Sequence, residues 1–143
     1  MLPAEIYDPL RRIIRQDEGY RSFPYKDSRG IETIGVGRNL QSVGLHDDEI
    51  ELMLTNDIED SWLYLSRYDW FAKLDPVRQA ALIDMMFNLG PVKFDAFKLM
   101  IEALSKGDWN AAATEAMHSQ WAKEVHDRAA RDAEMLETGE WPS

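Results

Sequence analysis

Apolar positions change rhythm along this chain, and each rhythm predicts a different element. From about residue 4 to residue 17, Ile6, Leu10, Ile13 and Ile14 recur at helical spacing, with Arg11, Arg12 and Arg15 on the other face. That is the pattern of an amphipathic helix ending near Gly19. Phe23, Tyr25, Ile31 and Ile34 then favour strands, and Asp27-Ser28-Arg29-Gly30 has the composition of a turn. A small antiparallel hairpin or sheet is predicted over about 19–45. Past Gly35, Gly37 and Gly44, helical spacing returns: Ile50, Leu54, Ile58, Trp62 and Leu65 lie three and four apart. A long helix over about 47–67 is predicted to connect two lobes.

The rest of the chain reads as helices. Asp75 before Pro76 has the form of an N-cap followed by a first-turn proline, and Gly90 stops the segment VRQAALIDMMFNL. Apolar residues surround that segment, which predicts a helix buried at the centre of a bundle. Phe94, Phe97, Met100, Ile101 and Leu104 lead to Gly107, Asp108 caps WNAAATEAM, and a last helix runs from about Asp127 to Thr138. The fold class is therefore α+β and predominantly helical. With no repeat or flexible linker, residues 1–143 read as one domain, its helical lobe (about 75–143) packed with the N-terminal helix 4–17.

Composition narrows the function classes. A hydrophobic content of 45% in 143 residues supports a core. The net charge of −10, from 26 acidic and 16 basic residues, repels phosphate backbones, so nucleic acid is not expected as a partner. Without cysteine there is no disulfide or zinc-thiolate staple, which suits a protein made in a cytoplasm. Charges interrupt the first twenty residues, and no signal peptide or membrane span is expected. His46, His118 and His126 lack the close spacing of a metal site, and Gly35 and Gly37 lack the third glycine and helix of a dinucleotide-binding loop. No metal or cofactor is expected.

Carboxyls remain as the candidate chemistry. Hydrolysis of a glycosidic bond needs a protonated acid at the leaving oxygen and a carboxylate or positioned water opposite. Glu18 lies at the C-terminal end of the first helix, where the helix dipole disfavours a second negative charge. Asp27 follows after eight residues, in a polar turn where backbone N–H groups favour the carboxylate. Thr33 follows after five more, with a hydroxyl able to orient water. Taken singly, these residues read as a surface charge, a turn residue and a strand residue; their joint spacing carries the chemical reading.

Asp17-Glu18-Gly19-Tyr20, Tyr25-Lys26-Asp27 and Thr33-Ile34-Gly35-Val36-Gly37 together resemble the active-site signature of the phage lysozyme (endolysin muramidase) family. Arg78 to Ile83, Phe87-Asn88-Leu89-Gly90, Trp109, Trp121, Arg128 to Arg131 and Thr138 to Trp141 resemble the family's C-terminal lobe in order and spacing. Only about 41–74 matches poorly. The resemblance implies a two-lobed fold and hydrolysis of the β-1,4 bond between N-acetylmuramic acid and N-acetylglucosamine in peptidoglycan. It assigns Glu18 as the acid, and Asp27 and Thr33 to the attacking water, in a single displacement that needs carboxyls roughly 6.5–9.5 Å apart. It places Phe87 against the saccharide, although the apolar pattern fits a core position equally well. Arg128 matches an arginine that steadies the catalytic glutamate, and a strut between lobes fits it as well.

Two residues depart from the family pattern. Arg38 stands where better-known members often have a histidine, so that histidine's ion pair is not carried over. Asn39 replaces an apolar residue of the substrate cleft. The implied biology is lysis of a bacterial host by a monomer that accumulates in the cytoplasm and reaches the wall through a holin-like pore. The alternatives are a lytic transglycosylase, against which Asp27 and Thr33 argue, and a lysozyme-like wall-binding or structural module without turnover.

Overall fold

A computed structural model describes all of residues 1–143. The chain forms two compact units, residues 1–51 and residues 52–143. It contains eight α-helices and one three-stranded sheet, so it is α+β and predominantly helical, with a small antiparallel sheet in one unit and a helical bundle in the other.

In the first unit, α1 (Ala4–Glu18) ends at Gly19, whose φ of 82° suits glycine and whose N–H returns to the Arg15 carbonyl. Strands β1 (Arg21–Lys26), β2 (Glu32–Gly35) and β3 (Arg38–Asn39) pair antiparallel in chain order. The register puts Tyr25 opposite Thr33 and Thr33 opposite Asn39, so these three side chains share one face. The ladder is irregular between Arg21 and Tyr25, where Pro24 has no N–H to contribute. The two-residue β3 lies beyond the elements expected from sequence. Thr33 is the one buried residue of this unit; Ile6, Leu10, Ile13 and Ile14 of α1 stay exposed.

Helix α2 (Asp47–Leu65) is capped at its start by its own Glu49. Glu49 accepts from the His46 backbone N–H at 2.7 Å, and the His46 carbonyl accepts from Ile50 N–H at 3.0 Å.

The second unit is built around α3 (Pro76–Leu89), whose Val77, Ala81, Leu82, Met85 and Met86 are buried. Asp75 caps it by accepting from Arg78 N–H at 3.0 Å, and Gly90 closes it. The segment after it breaks into α4 (Pro91–Asp95) and α5 (Lys98–Lys106), followed by α6 (Trp109–Met117), α7 (Gln120–Glu124) and α8 (His126–Thr138). Asp108 and Ser119 cap α6 and α7. Helix α8 packs on α3, α6 and α7 around a core containing Leu65, Phe71, Leu82, Met85, Phe94, Met100, Leu104 and Leu136. Trp121 is buried with its indole N–H satisfied by Asn88 at 2.7 Å. Asp95 accepts from the hydroxyls of both Tyr64 and Tyr68. No helix is long and apolar enough to cross a membrane.

Candidate active site

The chemistry-bearing corner of the first unit is organised by the backbone of Ile31. Asp27 N–H donates to the Ile31 carbonyl at 3.0 Å, closing the β1–β2 turn. In return, Asp27 Oδ1 accepts from Ile31 N–H at 2.9 Å and from Arg29 N–H at 2.8 Å. These donors, led by the Ile31 amide, hold the Asp27 carboxyl below its ordinary range. It is therefore a carboxylate at neutral pH. The Thr33 hydroxyl donates to the Ile31 carbonyl at 2.8 Å, which fixes its rotamer and leaves its lone pairs free to accept. The backbone of one residue, Ile31, thus orients both an ionised carboxylate and a buried hydroxyl.

Glu18 is the last residue of α1 and is exposed. Its carboxyl lies over Gly37 in the β2–β3 turn: a methyl group added to Gly37 would stand 2.7 Å from Glu18 Oε2 and 3.0 Å from its Cδ. Gly37 has φ of 67°, so an L side chain there would be both strained and in collision. This glycine admits the carboxyl of Glu18. As a sequence feature it reads only as a turn residue; the approach of Glu18 appears in three dimensions alone.

Asn39 shares the Thr33 face. Its Oδ1 accepts from Gln41 N–H and Ser42 N–H, both at 3.0 Å, which caps the next turn and directs the amide nitrogen away from those contacts as a donor. Arg38 occupies the neighbouring position with an ion pair of its own. Its guanidinium grips Glu49 bidentately, at 2.7 and 2.6 Å, and donates to the Gly44 carbonyl at 3.1 Å. The hydrogen bond from Arg38, with that from His46 N–H, pulls the Glu49 carboxyl down to about 2. Glu49 therefore does more than decorate the start of α2: it ties the cap of that helix to the sheet.

In the second unit, Phe87 projects from α3 and is exposed. It lines a largely apolar depression of about 350 Å³ together with Leu54, Ile58, Ile83, Asp84 and Arg128. Arg128 on α8 holds Asp84 on α3 through Nε and Nη2, both at 2.8 Å. Arg131 adds a third contact to Asp84 at 2.8 Å. Neither Asp84 nor its neighbour Asp132 stands out in the sequence, beyond being a carboxyl on an otherwise buried helix face. No grouping of His, Cys, Asp or Glu is suited to hold a metal ion.

The chain as a whole matches a known protein family. The phage lysozyme family model matches residues 15–133, a span that contains Glu18, Asp27, Thr33, Asn39, Phe87 and Arg128. Over 91% of its length the chain is similar to Probable T4-type lysozyme 1 of Dictyostelium discoideum, at 25% identity and covering 94% of that protein. Probable T4-type lysozyme 2 of the same organism is 24% identical over the same shares. The pre-baseplate central spike protein of Enterobacteria phage T4 is 25% identical across a stretch that makes up 28% of its length. With the family model spanning most of its residues, this chain belongs to the phage lysozyme family.

Proposed function

We propose that the chain hydrolyses the β-1,4 bond between N-acetylmuramic acid and N-acetylglucosamine in bacterial peptidoglycan. Glu18 protonates the leaving oxygen. Asp27 and Thr33 accept hydrogen bonds from the attacking water, and the carboxylate takes its proton in a single inverting displacement. The observation that carries this reading is the shared anchoring of Asp27 and Thr33 on Ile31, which supplies two fixed acceptors and so removes much of the ordering cost of the water. A transglycosylase needs no such water. Phe87 offers an aromatic edge to the sugar, Asn39 an amide donor, and Arg128 a fixed positive charge in support of the acid.

The reaction needs no cofactor. In the proposed setting the enzyme accumulates in the cytoplasm of a phage-infected bacterium, passes a holin-like pore to the periplasm, and works there as a monomer on glycan strands. The likeness to a stretch of a phage spike protein favours one second reading, a wall-degrading or wall-binding module of a phage particle. Glu18→Gln tests the catalytic reading. The folded variant is expected to release no soluble fragments from purified peptidoglycan, and native-like release by that variant would overturn the assignment of Glu18.

A further inference from the structure

Outside the Glu18 corner, charge is concentrated where α3 meets α8. Arg128, Arg131 and Asp132 lie within one turn of α8, at spacings that put them on a common face, and Asp84 faces them from α3. Asp132 is 1% exposed. Its Oδ1 accepts from Arg131 at 3.2 Å, while Oδ2 is buried and receives no donor when both acids are counted as carboxylates. A bare buried carboxylate oxygen is a costly arrangement. A single proton removes the fault, because a protonated Asp132 becomes a donor and Asp84 is the acceptor beside it.

We propose that Asp84 is the positioning residue for Arg128, and that Asp132 backs it as a neutral acid, the two carboxyls holding one proton between them. Burial first, and then the hydrogen bond and negative charge of Asp84, push the Asp132 carboxyl up to about 7. Burial opposes the charge on Asp84 too, but the Arg128 hydrogen bonds and the one from Asp132 hold it below its ordinary value. The proton therefore resides on the buried partner. From α3 the group facing Asp132 is Asp84, and from α8 they are Arg128 and Arg131. Helices α6 and α7, also packed on α8, bury only Ala112, Ala113, Ala116, Trp121 and Ala122.

The consequence is one surplus positive charge. Two arginines face a single carboxylate while Asp132 is neutral, and the surplus disappears when Asp132 ionises. Arg128 then becomes a weaker electrostatic support for any carboxyl or anionic group it serves. This inference rests on the muramidase reading, which gives Arg128 its part in the reaction.

The test is peptidoglycan turnover against pH for the native protein, Asp84→Leu, Asp84→Asn, Asp132→Asn and Glu18→Gln, with urea unfolding of the native protein and Asp132→Asn. Asp84→Leu is expected to lower kcat about tenfold or more with little change in KM. Asp84→Asn keeps an acceptor for Arg128 and recovers most of that loss. The native rate falls as pH rises through about 7, and Asp132→Asn loses that limb. Because its folded-state pKa is raised, Asp132 makes the native protein lose stability relative to Asp132→Asn as pH rises from about 4 to 7. Native kcat in folded Asp84→Leu, or matching pH profiles and urea midpoints in the native protein and Asp132→Asn, would overturn the proposal. If Asp84→Leu does not fold, the Asp132→Asn comparisons decide. No turnover by the native protein would instead overturn the muramidase reading, and native-like turnover by Glu18→Gln the assignment of Glu18; in either case the urea comparison alone would judge the shared proton.

Discussion

At the residue scale, the proposed catalysis depends on side chains held by backbone. Thr33→Val preserves shape and removes the hydroxyl that donates to Ile31. We expect kcat to fall by about tenfold or more, at a stability cost of about 1 kcal/mol for the lost bond, as read by urea denaturation. Gly37→Ala acts on Glu18 instead. The added methyl has no room beside the carboxyl, so turnover should drop sharply while unfolding shifts by only about 1 kcal/mol. An equal loss of both would mean that the turn itself collapses. The positions of Glu18, Asp27 and Thr33 along the chain were legible as a spacing. What holds Asp27 and Thr33 was not, because the hub is the backbone of Ile31, and no side-chain pattern reports where a backbone N–H points. Arg38 was legible only as a departure; its partner Glu49 stands among Asp47, Asp48 and Glu51 with nothing in the sequence to single it out, and pairing across that loop depends on how the chain turns at Gly44.

At the element scale, local signals named most of the helices because each carries its own start or stop. Asp75 with Pro76, Asp108, and the glycines at 90, 107 and 139 act within a turn of their helices. The break between α4 and α5, the short α7 and strand β3 were not legible, because five-residue helices and two-residue strands are set by packing rather than by a repeating pattern. Arg78 shows how elements are tied. It pairs with Asp75 at 2.8 Å, donates to the last-turn carbonyls of α8 at Leu136 and Glu137, and lies 4.3 Å from the ring centre of Trp109 on α6. Arg78→Ala should cost roughly 2–4 kcal/mol by thermal unfolding, since two helix-end carbonyls and a stacked indole lose their partner together. The Arg38–Glu49 clamp sets an acid limit for the sheet. A carboxyl pulled down to about 2 contributes stability that is complete above its unfolded value near 4.5 and is lost as pH falls through its folded value. Glu49→Gln should therefore flatten the loss of stability between about pH 4.5 and pH 2; an unchanged acid transition would mean that the clamp contributes nothing.

At the scale of the whole molecule, apolar burial is concentrated in residues 52–143, whereas residues 1–51 bury only Thr33. A three-stranded sheet with so little core is marginal as a fold by itself. We predict one cooperative thermal transition for the intact chain by calorimetry, as expected of a single folding unit, and two resolved transitions would refute it. The net charge of −10 bears on the substrate, because bacterial walls are often anionic. Binding through local contacts rather than surface charge predicts that moderate salt changes turnover little or raises it by screening repulsion; a steep loss with added salt would point to charge-driven binding. The measurement that bears most directly on the central claim is mass spectrometry of the fragments released from purified peptidoglycan by the native protein and by Glu18→Gln. The account predicts reducing N-acetylmuramic acid ends from the native protein and none from the variant, whereas anhydro ends, or equal release by both, would contradict it.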